Sequence, residues 1–446
     1  MKSIALHNLG CKVNGYEMDV MQQMLQEKGY KIVPFDAMAD IYIVNTCTVT
    51  NIADRKSRQM LHRARKMNPQ AVVVAVGCYV QTGQEDVLRD AGVDLAVGNN
   101  RKKDLPAILG EFLARREGKT ADGENGAKTL GGTTVIDIAR ETEFEEMRLK
   151  ETAGHTRAYI KIQDGCNQFC SYCIIPFARG RVRSRGEQDI LEEVRGLAKR
   201  GYQEVVLTGI HISSYGIDRG AAALADLVES IHGVDGIRRI RLGSLEPGIV
   251  TEEFTERLAC LPKFCPHFHL SLQSGCDDTL KRMNRRYTTG EYYGKVALLR
   301  EKFDHPAITT DVIVGFPAET QEEFEVTRAF LETVKFYEMH IFKYSKRKGT
   351  RAASMACQVT EETKTERSNL LFALERAESK RFREYYIGKE TEVLFEEQKE
   401  IGGEVFQTGH TKQYVKVAKR TGERLDNRMI QGTVRGFLTD DILLMD

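Results

Sequence analysis

The stretch from Asp164 to Arg185, DGCNQFCSYCIIPFARGRVRSR, constrains this chain more than any other. It sets Cys166, Cys170 and Cys173 in a C-x3-C-x2-C array where a strand pattern ends. Three thiolates at that spacing can hold three irons of a [4Fe–4S] cluster and leave the fourth open; four-cysteine sites saturate the cluster and mainly carry electrons. A zinc or structural site is the alternative, but zinc pairs usually come twice as C-x2-4-C, and no second pair follows here. The array therefore predicts a cluster whose open iron binds a cofactor directly.

At 446 residues the chain has room for two to four domains. Its 65 Lys and Arg against 64 Asp and Glu leave a net charge of +1, so a nucleic-acid face has to be a local patch. No apolar run reaches membrane-spanning length, and MKSIALHNLGCK lacks the apolar core and cleavage site of a signal peptide. Ten cysteines in such a chain read as thiols or metal ligands rather than disulfides. A cytoplasmic protein with no membrane association is expected.

Residues 1–115 alternate strand patterns (Ile4 to Leu9, Ile41 to Val44, Ala71 to Val76) with helical ones (Glu17 to Lys28, Ala53 to Met67, and near Asp86 to Ala91). That order predicts a parallel α/β sheet with covered faces. Cys11, Cys47 and Cys78 each follow a strand, in LHNLGC, IVNTC and VVVAVGC. The carboxyl ends of such strands line the ligand crevice, so the three cysteines are expected at one site. Separate buried thiols are the other reading, since free cysteine packs as a small hydrophobe. Their neighbours are Gly, Thr and Asn rather than an apolar run, which favours a second cluster. The helix from Ala53 carries Arg55, Lys56, Arg58, Arg63, Arg65 and Lys66 against Asp54. It is either a solvated face or an RNA-backbone contact, with Arg58 and Arg63 as the residues that would make it.

Residues 116–150 read as a linker, from the Gly- and Thr-rich GKTADGENGAKTLGGTT to an acidic segment. Residues 151–380 then give six strand patterns: Thr156 to Ile162, Val205 to Gly209, Ile237 to Leu242, His267 to Leu272, Ala307 to Val314 and Phe336 to Phe342. With the helices between them they predict a partial (β/α)6 barrel whose active site lies at the C-terminal edge of the strands. A long helix, Glu362 to Tyr386, leads to residues 384–446, where five short strands predict a small all-β, OB-like barrel. Lys412, Lys416 and Arg420 lie in its basic stretch, as RNA contacts or as part of a solvated β surface. The fold class is multi-domain α/β with an all-β C-terminal module.

The cysteine array, with aromatic Tyr172 before its last member, resembles the radical S-adenosylmethionine (SAM) superfamily. LGCKVNGYE, VNTCTVT, VGCYVQ, LTGIHISSYG, RLGSLEP, HLSLQSGCDDTLKRMNRRYT, DVIVGFPAET and HIFKYSKRKGT resemble the methylthiotransferases within it, and GHTKQYVKV resembles their RNA-binding TRAM domain. RLGSLEP and YSKRKGT look most like the branch acting on N6-threonylcarbamoyladenosine at position 37 of tRNA. Sister branches act on N6-isopentenyladenosine 37 or on an aspartate of a ribosomal protein; a non-catalytic iron–sulfur RNA-binding protein is the reading outside enzymology.

The resemblance implies two [4Fe–4S] clusters, one on Cys166, Cys170 and Cys173 and an auxiliary one on Cys11, Cys47 and Cys78. SAM is the implied co-substrate, cleaved to a radical at the first cluster and donating a methyl group to sulfur at the second. Implied partners are the tRNA anticodon loop, a low-potential electron donor such as flavodoxin or ferredoxin, and a sulfur donor. Gly209, Ser244, Glu246, Gln273 and Asp311 are candidate SAM contacts by the same resemblance; as strand-end residues they also suit a purely structural role. Arg179, Arg181, Arg183 and Arg185 alternate like an extended segment that tracks phosphates or pairs with acids, and Arg181 and Arg183 are expected on RNA. Cys260, Cys265, Cys276 and Cys357 read as structural thiols. Two positions depart from the family pattern: Ala318 replaces an expected Gly in FPGET, and Lys343 an expected Pro in HVFPYS.

Overall fold

The computed structural model describes residues 1–83, 87, 92–118, 132–152 and 156–446. Strands β1 (Ser3–Asn8), β2 (Lys31–Val33), β3 (Ile41–Thr46), β4 (Val72–Gly77), β5 (Leu95–Val97) and β6 (Gly132–Thr134) form a parallel sheet in the order β2-β1-β3-β4-β5-β6. Every residue of β3 and β4 is buried, as expected of central parallel strands covered on both faces. Helices α1 (Lys12–Glu27), α2 (Asn51–Met67), α3 (Cys78–Thr82) and α4 (Leu105–Arg116) belong to the same unit. The helix expected near Asp86 to Ala91 lies, Val87 apart, outside the described residues. Gly132–Thr134 corrects the linker boundary: it pairs with β5, so the N-terminal unit runs past residue 115. A three-residue edge strand needs only backbone partners, so this Gly- and Thr-rich segment carries no apolar pattern to betray it.

The central unit has the expected six parallel strands: β7 (Ala158–Asp164), β9 (Glu204–Gly209), β10 (Arg239–Leu242), β11 (His267–His269), β12 (Ala307–Val314) and β13 (Glu338–Lys343). A short β8 (Arg183–Ser184) returns antiparallel along the end of β7. The two sheets, β10-β9-β7-β8 and β11-β12-β13, join through the single bridges Ile240–Phe264 and Leu245–Leu270, giving an open barrel. Ile160, Leu207, Ile240, Phe268, Val312 and Ile341 pack in one apolar core with residues of the surrounding helices. Strand alternation turns the intervening residues to the lumen, and at six positions these are polar (Lys161, Glu204, Arg241, His269, Asp311 and His340), with Val206, Ile313 and Phe342 as apolar members of the same face.

Helix α5 (Ile175–Arg179) follows the cysteine loop, and the long helix α6 (Glu361–Glu384) leads to the C-terminal module. There β14 (Glu390–Ile401), β15 (Glu404–His410), β16 (Lys416–Arg420), β17 (Met429–Thr439) and β18 (Ile442–Met445) close into a barrel in the order β14-β15-β16-β18-β17. This module closes the N-terminal end of the central barrel. The Tyr414 ring lies 4.7 Å from the Arg157 guanidinium, 4.8 Å from that of Arg241 and 5.1 Å from the His267 ring. Arg241 also donates to the carbonyl of Lys412 at 2.8 Å. Among the described residues, no helix is long and apolar enough to cross a membrane.

Candidate active site: two cysteine triads at one cleft

The first triad is built where β7 ends. Gly165 has φ +73°, and a Cβ there would fall 1.7 Å from the carbonyl oxygen of Arg181, so only glycine lets the chain turn into the loop. The Cys166 amide donates to the Gly180 carbonyl and that of Cys173 to Cys170, each at 3.0 Å, fixing both ends of the array. Two donors already face the sulfurs: the Gln168 amide on Cys166 Sγ at 3.4 Å and Arg285 Nη1 on Cys170 Sγ at 3.3 Å. Burial, together with the neighbouring thiolates, pushes Cys166 up to about 11 and Cys173 up to about 12. Three thiols gathered in one short loop, with N–H groups already on the sulfurs of Cys166 and Cys170, fit an iron–sulfur cluster that takes them as thiolates.

The second triad comes from three strand ends, as the sequence implies. Gly10 turns at φ +107°, and a Cβ there would sit 3.0 Å from Cys47 Cβ and 3.1 Å from its Sγ. Burial pushes Cys47 up to about 11, with Cys78 and Cys11 adding to the rise. Cys78 Sγ accepts from Arg179 Nε at 3.3 Å and from Asn99 Nδ2 at 3.5 Å. Cys11, Cys47 and Cys78 line a cavity of about 420 Å³ whose remaining wall includes Ile175, Arg179 and Ile210 of the central unit. The triad thus opens toward the barrel. Three sulfurs on one cavity, with N–H donors behind them, also fit a cluster with an open iron.

A buried knot of charge locks the two triads together. Arg179, six residues after Cys173, meets Glu17 of α1 at 2.5 Å, Asn14 at 2.5 Å and Asp164 at 3.2 Å. Glu17 also accepts from Lys161 at 2.6 Å and from Lys102. Burial by itself would raise the Glu17 carboxyl, but Arg179, Lys102 and Lys161 hold it well below the usual carboxylate range. None of these six side chains is more than a few per cent exposed.

The remaining expected residues divide. Glu246 lines a cavity of about 430 Å³ with Gln168, His211 and Ser213, and accepts from Arg285 at 2.8 Å. Gly209 ends β9 and Ser244 is exposed just beyond β10, both at the C-terminal edge. Gln273 takes φ +74° and bridges to β12 through its backbone. Asp311 lies lower, in the lumen wall, 3.4 Å from His269 Nε2; His340 completes a group whose ligand atoms all lie within 4.8 Å of one another.

Of the RNA residues, Arg58 and Arg63 are exposed on α2, and Arg181 is exposed with its guanidinium 4.6 Å from the Phe169 ring. Arg183 is a correction. It is 1% exposed and donates to the carbonyls of Arg181 and Arg179 at 3.0 and 2.9 Å, because β8 folds back on β7 and turns it inward. Lys412 is also committed, donating to the Pro262 carbonyl at 2.8 Å beneath the barrel. Lys416 lies 3.6 Å from Glu397, and Arg420 pairs with Glu404.

Sequence reasoning missed a rim beside the first triad. Phe169 and Phe177, 38% and 51% exposed, meet edge to face and border a cavity of about 1060 Å³ with Lys346, Lys348 and Arg351. The basic run in YSKRKGT was the available signal.

Comparison with known proteins follows the same division of the chain. Residues 3–98 match the uncharacterized protein family UPF0004, and residues 160–331 match the radical SAM superfamily. The chain is 39% identical to the threonylcarbamoyladenosine tRNA methylthiotransferase MtaB of Bacillus subtilis, over 97% of this chain and 93% of that protein. It is 40% identical to the protein of the same name from Aquifex aeolicus, over 89% and 94%. The tRNA-2-methylthio-N(6)-dimethylallyladenosine synthase of Acetivibrio thermocellus is 35% identical over 92% and 84%. Among solved structures, the radical SAM methyltransferase TsrM of Kitasatospora setae superposes with a TM-score of 0.55 at 16% identity, covering 79% of this chain and 74% of that one, a likeness of fold alone.

Proposed function

The chain belongs to the tRNA methylthiotransferases of the radical SAM superfamily, and from that premise we propose that it converts N6-threonylcarbamoyladenosine 37 of tRNA to its 2-methylthio derivative. The observation that carries the choice of base is the polar lumen. Lys161, Glu204, Arg241, His269, Asp311 and His340 face the space below the cysteine loop, where a tail on the base would enter. A threonylcarbamoyl group brings polar and charged atoms that such a wall can hydrogen-bond, whereas an apolar isopentenyl group would displace water from it and return no hydrogen bond.

Adenine C2 bears a C–H with no acidic proton and no leaving group, so acid–base side chains have little to act on. With [4Fe–4S] clusters held by Cys166, Cys170 and Cys173 and by Cys11, Cys47 and Cys78, the enzyme has reductive cleavage of SAM at one and a sulfur acceptor for methyl at the other. The chain's own residues do the rest. Glu246, tied to Arg285, offers a carboxylate to the amino group of SAM beside Cys170. Gly209, Ser244 and Gln273 shape the same edge, and the Asp311 carboxylate faces the lumen beneath it. Phe169 and Phe177 give stacking faces to unstacked loop bases, and Lys346, Lys348, Arg351, Arg181, Arg58 and Arg63 meet phosphates. The C-terminal barrel, with Lys416 and Arg420, reaches more distant RNA. A low-potential electron donor and a sulfur donor complete the reaction.

The test is anaerobic turnover of iron- and sulfide-reconstituted protein with SAM, a reductant and tRNA bearing the threonylcarbamoyl group. A methylthio mass gain on that nucleoside is the expected result. Production of 5′-deoxyadenosine with no modified nucleoside would retain radical chemistry and remove the substrate.

A further inference from the structure

We propose that Lys12 is the specificity-determining residue for this substrate, its ammonium pairing with the free carboxylate of the threonylcarbamoyl group. The inference rests on the function proposed above and names the contact that selects the base.

Lys12 opens α1 directly after Cys11, a cysteine of the second triad. Two residues of the same helix, Asn14 and Glu17, accept from Arg179 and Lys161 of the central unit, so α1 lies against the barrel, and the charged and titratable groups around the Lys12 ammonium are Arg241, Arg157, Glu204 and His267, all on the central barrel. The other lumen cations have acids of their own. Arg241 donates to Glu204 at 2.9 Å, Arg157 to Glu396 at 3.2 Å, and Lys161 meets Glu17 and Asp164 at 2.6 Å each. Among the described residues, the Lys12 ammonium has no hydrogen bond and no ion pair, and its side chain remains accessible. An accessible cation beside two arginines, where the nearby acid Glu204 is already bonded to Arg241, is a site shaped for an anion that the protein itself does not supply.

The substrate supplies one. C2 and C6 of adenine both flank N1, so a base that presents C2 to the second triad lays its N6 substituent along the same edge. The threonylcarbamoyl group ends in a carboxylate; an isopentenyl group has none. A charge-assisted contact to Lys12 would reward the first and leave the ammonium unpaired with the second.

The experiment uses cluster-loaded protein and anticodon stem-loops carrying threonylcarbamoyladenosine or its methyl ester, which removes the charge and keeps the rest. Binding is measured without SAM or reductant. The wild type is expected to prefer the acid by roughly 10- to 100-fold, Lys12→Met to bind both alike, and Lys12→Arg to retain the preference. A wild type indifferent to the ester, or a Lys12→Met protein that keeps the preference, overturns the proposal. Should Lys12→Met fail to assemble, the wild type decides alone: a stem-loop whose carboxylate is activated as the N-hydroxysuccinimide ester should acylate Lys12, read by peptide mapping, and acylation elsewhere overturns the assignment. Tight acid-selective binding with no methylthio product would count against the reaction and leave the Lys12 contact standing.

Discussion

Arg179 donates its Nε–H to the sulfur of Cys78 at 3.3 Å, across 101 residues and from the barrel to the N-terminal sheet. The helix that follows one cysteine triad therefore carries a hydrogen-bond donor for the other. The same guanidinium is held by Glu17 and Asn14 of the helix that starts at Lys12, so the interface is fixed by the residues that surround the chemistry.

Donors to ligand sulfur and nearby positive charge raise the potential of an iron–sulfur cluster. Arg179→Gln is expected to lower the midpoint of the auxiliary cluster by about 59 mV, one decade in a one-electron equilibrium. The reading is an EPR-monitored redox titration of protein in which Cys166, Cys170 and Cys173 are replaced by Ala, so that one cluster remains. Lys at position 179 should recover part of the shift. An unchanged midpoint would reduce Arg179 to an interface contact.

Glu17→Gln leaves Lys102, Lys161 and Arg179 facing one another without the carboxylate that bonds all three, Asp164 and Glu145 being the other acids near them, and should cost about 3–5 kcal/mol in urea unfolding. The pH dependence has a definite sign. Neighbouring cations hold the folded carboxyl well below its ordinary 4.5, so its contribution is present above that value and lost as pH falls through the folded one. Wild type should therefore begin to lose its advantage over Glu17→Gln as pH falls below about 5 and go on losing it in stronger acid, with the gap constant near neutrality. A gap that widens in acid would contradict the assignment.

Arg181 and Arg183 stand two residues apart and should behave as different kinds of residue. Arg181→Ala is expected to weaken tRNA binding, lower the salt slope by about one, and leave stability within about 0.5 kcal/mol. Arg183→Ala frees the buried carbonyls of Arg179 and Arg181, costing about 1–3 kcal/mol of stability, with the salt slope unchanged. Filter binding over a salt series, beside urea curves, separates them.

What could be read in the sequence was what local pattern encodes. Cys11, Cys47 and Cys78 announced themselves because a parallel sheet delivers every strand end to one edge, and six strand patterns sufficed for the open barrel. Arg183 misled because alternating arginines look the same whether an extended segment tracks phosphates or folds back as β8 against Asp164. The contact between Glu17 and Arg179 spans 162 residues and has no periodic signature at all. The polar lumen was partly visible in RRIRL and HFHL, where charged and apolar residues alternate, but only closure of the strands shows that the charged side faces inward.

Ala318 stands at φ +62°, a conformation that favours glycine, at the position where the family pattern has it. Ala318→Gly is expected to stabilise the protein by up to about 1 kcal/mol, read by thermal and urea unfolding. A loss of stability would mean that the methyl group makes contacts worth more than the backbone strain.

The account centres on two cysteine triads acting on one base whose tail lies in a polar lumen. The most direct test is a competition, in one anaerobic reaction, between tRNAs bearing threonylcarbamoyladenosine and isopentenyladenosine at position 37, with wild type and Cys47→Ala compared. Wild type should place methylthio on the first tRNA alone, and Cys47→Ala should still yield 5′-deoxyadenosine but no methylthio product. Methylthio on the isopentenyl tRNA, or product formed by Cys47→Ala, would contradict it.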